Sequence, residues 1–376
     1  MSRVHYSWRA YRPGDESAIN KLYFRVTGRM RSPEQWAWQW QEAPAGPGDI
    51  WLIEATYPDG RVELIGHHGV LPVRFTWAEK DILIGRTENT MVLPEYRSKI
   101  LYPRFEQRFF NEYKHRYHAV FTGSGPAEAL RQRKAVGYQP KGVWQCAHHA
   151  SFPLGVASHA LSAIVQKRKQ SRHQKTISRV IFPRKMRHHF FSVHDFDVTI
   201  CDRKSALNQS ALALYWGEAR NNWGLSQSRA PEELAWRFWN NPYHEHRAVF
   251  VNHEVLGQAL FVLRHISNGY YEIVDFSYSK PSVELVSTST RGVLMVLRKL
   301  LGIRAIACPY VEDALPEHLM RAFLSQFSGS PITGLRKLVR PDPVRHTWRR
   351  LTDNGEAEDL LEYPWGLTPL TAGEGR

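Results

Sequence analysis

Hydrophobic positions recur along this chain in two rhythms. In "GDESAINKLYFRVTG", Ile19, Leu22, Tyr23 and Val26 repeat at helical spacing behind Asp15, a residue type that caps helix starts. In "SPEQWAWQWQEAP", Trp36, Trp40 and Ala43 share one face, Ser32 stands as N-cap and Pro33 fills the first helical position, where a missing N–H costs nothing. The extended "HYSWRAY" precedes both helices. From residue 50 the period shortens to that of strands, in "IWLIEA", "VELIGHHGVLPVRFTW" and "DILIGRTENTMVL", the last two joined at "AEKD". The helical period returns in "LYPRFEQRFFNEYKHR" through Leu101, Phe105 and Phe109, before strand "HAVFTG", helix "PAEALRQRKAVG" and strand "VWQCAHHA".

The pattern then starts again. Strand "FDVTIC" and helix "ALNQSALALYWGEAR" lead to "APEELAWRFWNNP", a near copy of the tryptophan helix. Pro33/Pro231, Glu34/Glu232, Ala37/Ala235, Trp38/Trp236 and Pro44/Pro242 are identical between the two copies, and Gly66 in "ELIGHHG" answers Gly257 in "EVLGQAL". Strands "AVFVN", "VLGQALFVLRH" and "YYEIVDFSY", helix "STRGVLMVLRKLLG", strand "IRAIACPY" and helix "EDALPEHLMRAFLSQF" complete the second pass. The expected organisation is a domain over 1–150, a basic linker over 151–193, a second domain over 194–350 and a tail over 351–376.

Composition narrows the class. At 376 residues with 43% hydrophobic positions, the chain fills two cores of ordinary size and excludes a fibrous or disordered protein. No run of about 18 apolar residues occurs, and "MSRVHYSWRAYRPGDES" lacks the apolar stretch of a secretory signal, so a cytoplasmic protein is expected. Cys146, Cys201 and Cys308 form no CxxC or Cys/His pattern, which argues against structural zinc and disulfides. The net charge of +14 is concentrated: residues 129–194 hold 13 of the 50 Lys and Arg and no Asp or Glu. Such a block is either a solvated linker or, around residues 165–190, a contact for an anionic surface, including the inner face of a membrane.

The element order of each half resembles that of the GNAT superfamily of acyl-coenzyme A N-acyltransferases. The best local match is "TMVLPEYRSKILYPRF", and "GHHGVLPVRF" and "SPEQWAWQW" resemble a tandem bacterial subgroup associated with polysaccharide and amino-sugar modification. The resemblance implies an α+β fold of two tandem domains, each a mixed, largely antiparallel sheet flanked by helices. It also implies acetyl-coenzyme A or another acyl-coenzyme A as co-substrate, and a small-molecule amine such as an amino sugar as acceptor. The coenzyme would lie against the strand end at Met91 and Val92. Its pyrophosphate would meet the turn and helix start formed by Arg97, Ser98, Lys99, Ile100, Leu101 and Tyr102, where unpaired N–H groups and the positive helix end attract anions. The family turn reads Q/R-x-x-G-x-G/A. Arg97 matches, but Ile100 and Tyr102 replace the glycines, and a positive φ at a β-branched residue costs roughly 1 to 2 kcal/mol.

Where the family usually places an Asn and a Tyr, this chain has Ala127 and Arg133. Arg133 can stabilise a thiolate electrostatically but is a poor proton donor. For the proton of the attacking ammonium, Glu88 in "RTENTMV" and either His67 or His68 on the neighbouring strand are the candidates, and alternation turns only one histidine to the cleft. The second half lacks an Arg/Gly turn and reads as a partner domain. A non-catalytic alternative stays open, in which the basic block and a residual cleft bind a membrane surface, a lipid-linked phosphate or nucleic acid.

Overall fold

Capping chemistry sets the first helices, though not always as the sequence suggests. The computed structural model describes residues 4–77, 79–122, 127–150, 175–176, 189–193, 196–201, 209–267, 270–301, 303, 305–311, 314–327, 345–352 and 365–366. Strand β1 (His5–Ala10) leads to α1 (Glu16–Thr27), which stops at Gly28 with a φ of 72° that suits glycine. Asp15 precedes α1 without capping it, because its carboxylate is taken by the Arg9 guanidinium at 2.7 and 2.9 Å and by the Arg12 N–H at 2.7 Å. After β2 (Arg29–Met30), α2 (Pro33–Trp40) has the expected start: Ser32 and Gln35 form a reciprocal capping box with Pro33 beside it.

Strands β3 (Asp49–Thr56), β4 (Val62–Trp77) and β5 (Lys80–Val92) form an antiparallel meander, with β1 outside β3. A 3-10 turn (Pro94–Lys99), α3 (Leu101–Tyr113), β6 (Ala119–Thr122), α4 (Ala127–Ala135), β7 (Gln139–Ala150) and β8 (Lys175–Thr176) follow. The second pass contains β9 (His189–Val193), β10 (Phe196–Cys201), α5 (Gln209–Ala219), β11 (Leu225–Gln227), and α6 (Pro231–Leu234), which continues as a π-helical turn (Ala235–Trp239). It goes on through β12 (His246–His253), β13 (Gly257–Ser267), β14 (Tyr270–Tyr278), α7 (Val283–Leu301), β15 (Ala305–Val311), α8 (Glu317–Ser325), β16 (Arg345–Leu351) and β17 (Trp365–Gly366).

The fold is α+β, as expected, but the two sheets are one. The strand order β1-β3-β4-β5-β6-β16-β7-β15-β14-β13-β12-β10-β9 runs unbroken through both halves. The joint is a reciprocal exchange. β16, from the end of the chain, pairs antiparallel with β6 of the first half, and β7, from the first half, pairs antiparallel with β15 of the second. β7 and β16 also pair with each other, with Val143 opposite His346 and Trp144 opposite Arg345. The segments after the exchange match too: β8 adds parallel to β2 as β17 adds parallel to β11. The repeat therefore includes short pieces of the expected linker and tail. Most of residues 165–190, where anionic surface contact was expected, lies outside the described residues.

The doubled tryptophan helices meet on the same pseudo-twofold. Trp38 stacks on Trp236 at 5.4 Å and 25°, the Trp38 Nε1–H donates to the Trp236 carbonyl at 2.7 Å, and the Trp236 Nε1–H donates to the Trp38 carbonyl at 2.8 Å. Tyr243 and Ala43 close the cluster. This is the self-complementary geometry of a twofold interface, built inside one chain.

Helices cover both faces of the first half. Trp36 and Trp40 of α2 pack with Ile19, Ile50, Leu52 and Leu71 on one face, while Phe105, Phe109 and Phe110 of α3 pack with Trp51, Ile53 and Val70 on the other. A Cβ at Gly69 would fall 2.1 Å from the Trp40 ring and one at Gly48 2.7 Å, so these two glycines give the indole its seat. Among the described residues no helix is long and apolar enough to cross a membrane, and no cluster of metal-ligating side chains occurs.

Candidate functional site

The site region begins as an irregularity between β4 and β5. His67 pairs with Met91 and Gly69 with Glu88, so Asn89 and Thr90 together oppose the single residue His68. This is a β-bulge, and Asn89 adopts a φ of 48°, a left-handed conformation that asparagine tolerates better than most residues. On its other edge β5 pairs parallel with β6 from Ile84 to Arg86, then runs on to Val92. The described ladder between β5 and β6 ends at Arg86 opposite Phe121, while β16 lines the other edge of β6 as far as Thr122. The Leu93 N–H donates to the Ile65 carbonyl at 2.9 Å, which turns the Val92 carbonyl away from β4 and toward the other edge of β5. There it accepts from Arg97 Nε at 3.1 Å.

The turn into α3 is fastened along its first residues, where Glu95 pairs with Arg25 and Tyr96 meets Tyr57, and is exposed beyond them. Tyr96 donates to Glu63 at 3.0 Å, while Arg97, Ser98, Lys99 and Ile100 are exposed. Ile100 has φ 53° and ψ 39°, and its side chain is 62% exposed. The left-handed conformation that the missing glycine would favour is thus present, carried by a β-branched residue at a cost of roughly 1 to 2 kcal/mol. No side chain caps α3, and Pro103 has no N–H, so the unpaired donors at its start lie next to Arg97 and Lys99. Leu101 and Tyr102, the last two residues of the expected coenzyme set, turn inward and are buried.

Two of the three catalytic candidates meet on the α3 face. The His68 Nδ1 lies 3.1 Å from Thr90 Oγ1, and Arg133 donates to the same oxygen at 3.1 Å. Glu106 Oε2 is 3.5 Å from His68 Nδ1, and the Tyr138 hydroxyl donates to Glu106 Oε1 at 3.3 Å. His68 is fully buried and stacked on Phe109 at 5.3 Å. Burial pushes its imidazole down to about 4 against the pull of Glu106, so it is neutral at neutral pH. Arg133 lies between the Tyr102 and Tyr138 rings at 5.7 and 5.0 Å. This enclosed network supports the bulge from behind.

The third candidate, Glu88, is on the opposite face. Its direct partner Gly69 lies under Trp40, so the Glu88 side chain rises on the α2 side, where Arg86 holds it at 2.9 Å. His67 occupies the same face, edge-on to Trp40 at 5.4 Å, with Nδ1 2.8 Å from the Asn89 carbonyl. Sequence reasoning passed over Thr90, which joins His68 to Arg133, and Glu106. The signal for Glu106 was present: a lone carboxylate within the inward stripe Tyr102, Phe105, Phe109, Tyr113 of α3 is a buried charge in want of partners.

No protein-family model matches the chain, and no curated protein sequence matches it. Solved structures do. A conserved protein of Enterococcus faecalis V583, described as a probable N-acyltransferase, superposes with a TM-score of 0.56 at 9% identity, covering 94% of this chain and 74% of its own. A GCN5-related N-acetyltransferase from Anabaena variabilis gives 0.52 at 11% identity, over 92% and 73%. The Saccharomyces cerevisiae N-myristoyltransferase with bound myristoyl-coenzyme A gives 0.52 at 9% identity, over 92% and 82%. At such identities the likeness establishes architecture, and over nearly its whole length this chain has the fold of the GNAT N-acyltransferases.

Proposed function

We propose that the protein is an acyl-coenzyme A dependent N-acyltransferase with a single active centre in its first half. The observation that carries this reading is a coincidence of place: β5 runs on past its last described pairing with β6, at Arg86, into an exposed, uncapped helix start bearing Arg97 and Lys99. Those residues fit the coenzyme, since the free N–H groups at Leu101 and Tyr102 and the two cations suit a pyrophosphate, and the outward edge at Met91 and Val92 suits an amide-bearing arm. When bound, an acyl-coenzyme A supplies an activated thioester. Arg97 then leaves the Val92 carbonyl for the phosphates, and the Val92 N–H stands by to hold the oxyanion. Glu88 accepts the proton that the amine loses, and His68, Thr90 and Arg133 hold the bulge that sets the geometry. Acetyl-coenzyme A and an amino-sugar acceptor are the specific pair we favour.

Arg97→Ala tests the site. Its loss weakens acetyl-coenzyme A binding by roughly 1.5 to 3 kcal/mol, the range for a hydrogen bond to a charged group, while thermal stability stays unchanged because the side chain is exposed. Calorimetric titration of parent and variant at moderate salt measures it. Equal affinities would remove the turn from the mechanism. A parent that binds nothing at millimolar coenzyme would return the chain to the class of non-catalytic anion binders.

A further inference from the structure

We infer that His67 Nε2 and Trp40 Nε1 form the recognition pair for the acceptor, an amine bearing a hydroxyl group on the adjacent carbon; this rests on the acyltransferase reading above. A carbonyl oxygen only accepts, so the contact of His67 Nδ1 with the Asn89 carbonyl at 2.8 Å puts the ring proton on Nδ1 and leaves a lone pair on Nε2. That Nε2 atom is buried without a hydrogen-bond partner, and so is the Nε1–H of Trp40. The two rings adjoin, edge to face at 5.4 Å. Each buried orphan costs about 1 to 3 kcal/mol, so an acceptor and a donor left unmatched on neighbouring rings describe a ligand with one donor and one acceptor close together.

The placement agrees with the chemistry. Both rings lie on the Glu88 face of the bulge, opposite His68, and Trp40 is held there by Gly48 and Gly69. Burial pushes the His67 imidazole down to about 3, against the Asn89 hydrogen bond. The ring therefore aims an amine N–H without keeping a proton. The Arg31 guanidinium, 5.2 Å from the Trp36 ring centre in the same layer, works against an ammonium and in favour of the neutral amine. The reaction balances on these groups: the amine nitrogen bonds to the acyl carbon, the C–S bond breaks with its electron pair on sulfur, and the proton shed by nitrogen passes to Glu88 and on to the thiolate.

The probe is glucosamine with acetyl-coenzyme A and the full-length protein, followed by thiol release. His67→Phe keeps the ring packing, removes the lone pair and lowers kcat/KM for glucosamine by about 30-fold or more, as expected for a hydrogen bond made in the transition state. Trp40→Phe raises the glucosamine KM by about 10-fold with kcat nearly constant, the mark of uniform binding. Both keep parental acetyl-coenzyme A affinity. In unsubstituted protein, the 15N resonance of His67 Nε2 shifts when glucosamine is added to the coenzyme A complex, a readout independent of how the variants fold. A stationary resonance under saturating glucosamine, or parental turnover in His67→Phe, overturns the inference. So does coenzyme binding without glucosamine-dependent thiol release, and in that case the acyltransferase reading survives. A protein that binds no acetyl-coenzyme A overturns both.

Discussion

The two halves start from one plan and end it differently at the same point. In the first half the helix after the long strand β5 begins uncapped, behind an exposed turn with two cations and a left-handed isoleucine. In the second, β14 passes into α7 through a shorter link, and the Ser282 hydroxyl accepts from the Leu285 N–H at 3.1 Å, so one of the first-turn donors is already taken by a side-chain cap. The inner faces differ as well. Around His67 and Trp40 the first half leaves single polar atoms unmatched. In the second, Arg229 grips Asp275 at 2.8 and 3.1 Å and Arg237 lies 4.0 Å from the same carboxylate, all at most 1% exposed. The two halves thus put different chemistry on one plan, an exposed turn with two cations in the first and a buried Arg–Asp cluster in the second, and a shared fold does not by itself duplicate a site.

The strongest test of the shared plan is the place where the halves touch. Trp38→Ala and Trp236→Ala each remove a buried indole, its stack and one of two reciprocal hydrogen bonds, and each lowers stability by about 3 to 5 kcal/mol. Because they share one contact, the double variant loses much less than the sum. Denaturant unfolding of the three variants measures this. Additive losses would mean that the two rings stabilise their own halves independently.

That junction also shows how far the sequence could be read. Near-identity of two short helices at an offset of 198 announced a repeat, and helical and strand periods placed most elements, because both signals are local. Which strand pairs with which is not local. "RHTWRRL" has too few apolar positions to stand out as a strand, yet as β16 it sits between β6 and β7, far from where the chain left that half. At the site, Arg97, Lys99 and the strain at Ile100 were readable from a turn pattern. The inward direction of His68 was not, since a two-residue bulge in β5 and the stack on Phe109 decide which histidine faces which helix.

A smaller effect separates the helix faces. Glu233 stands on α6 where α2 has Gln35, and both are buried. Burial pushes the Glu233 carboxyl up to about 7, with Arg237 and Arg74 opposing. The folded protein then holds a proton that the unfolded chain releases above its ordinary carboxyl range. This contribution is full below about pH 4.5 and is lost as pH rises through 7, by up to roughly 3 kcal/mol. Glu233→Gln, which gives α6 the residue type of α2, removes that loss. The difference in unfolding free energy between variant and parent should grow in favour of the variant from pH 5 to pH 8. A flat difference would mean that Arg237 and Arg74 keep the carboxylate ionised throughout.

The smallest expected effect bears on the turn where the comparison began. Ile100→Gly relieves a left-handed conformation worth roughly 1 to 2 kcal/mol, and glycine returns about 0.5 to 1 kcal/mol of that through the freedom of the unfolded chain. Little burial is lost, since Ile100 is 62% exposed. The net result is a small gain in stability, and coenzyme affinity equal to or above that of the parent because no Cβ limits the approach to the backbone. At the matching place in the other half, Ser282→Ala lowers stability by about 1 kcal/mol through loss of a cap and leaves coenzyme binding untouched. Opposite signs at equivalent helix starts, read as melting temperature and affinity of the two variants, are what an open site and a closed one require. If Ile100→Gly instead lowers stability and weakens binding together, the isoleucine side chain is itself part of the coenzyme contact, and the strain at that residue is retained for a ligand rather than tolerated.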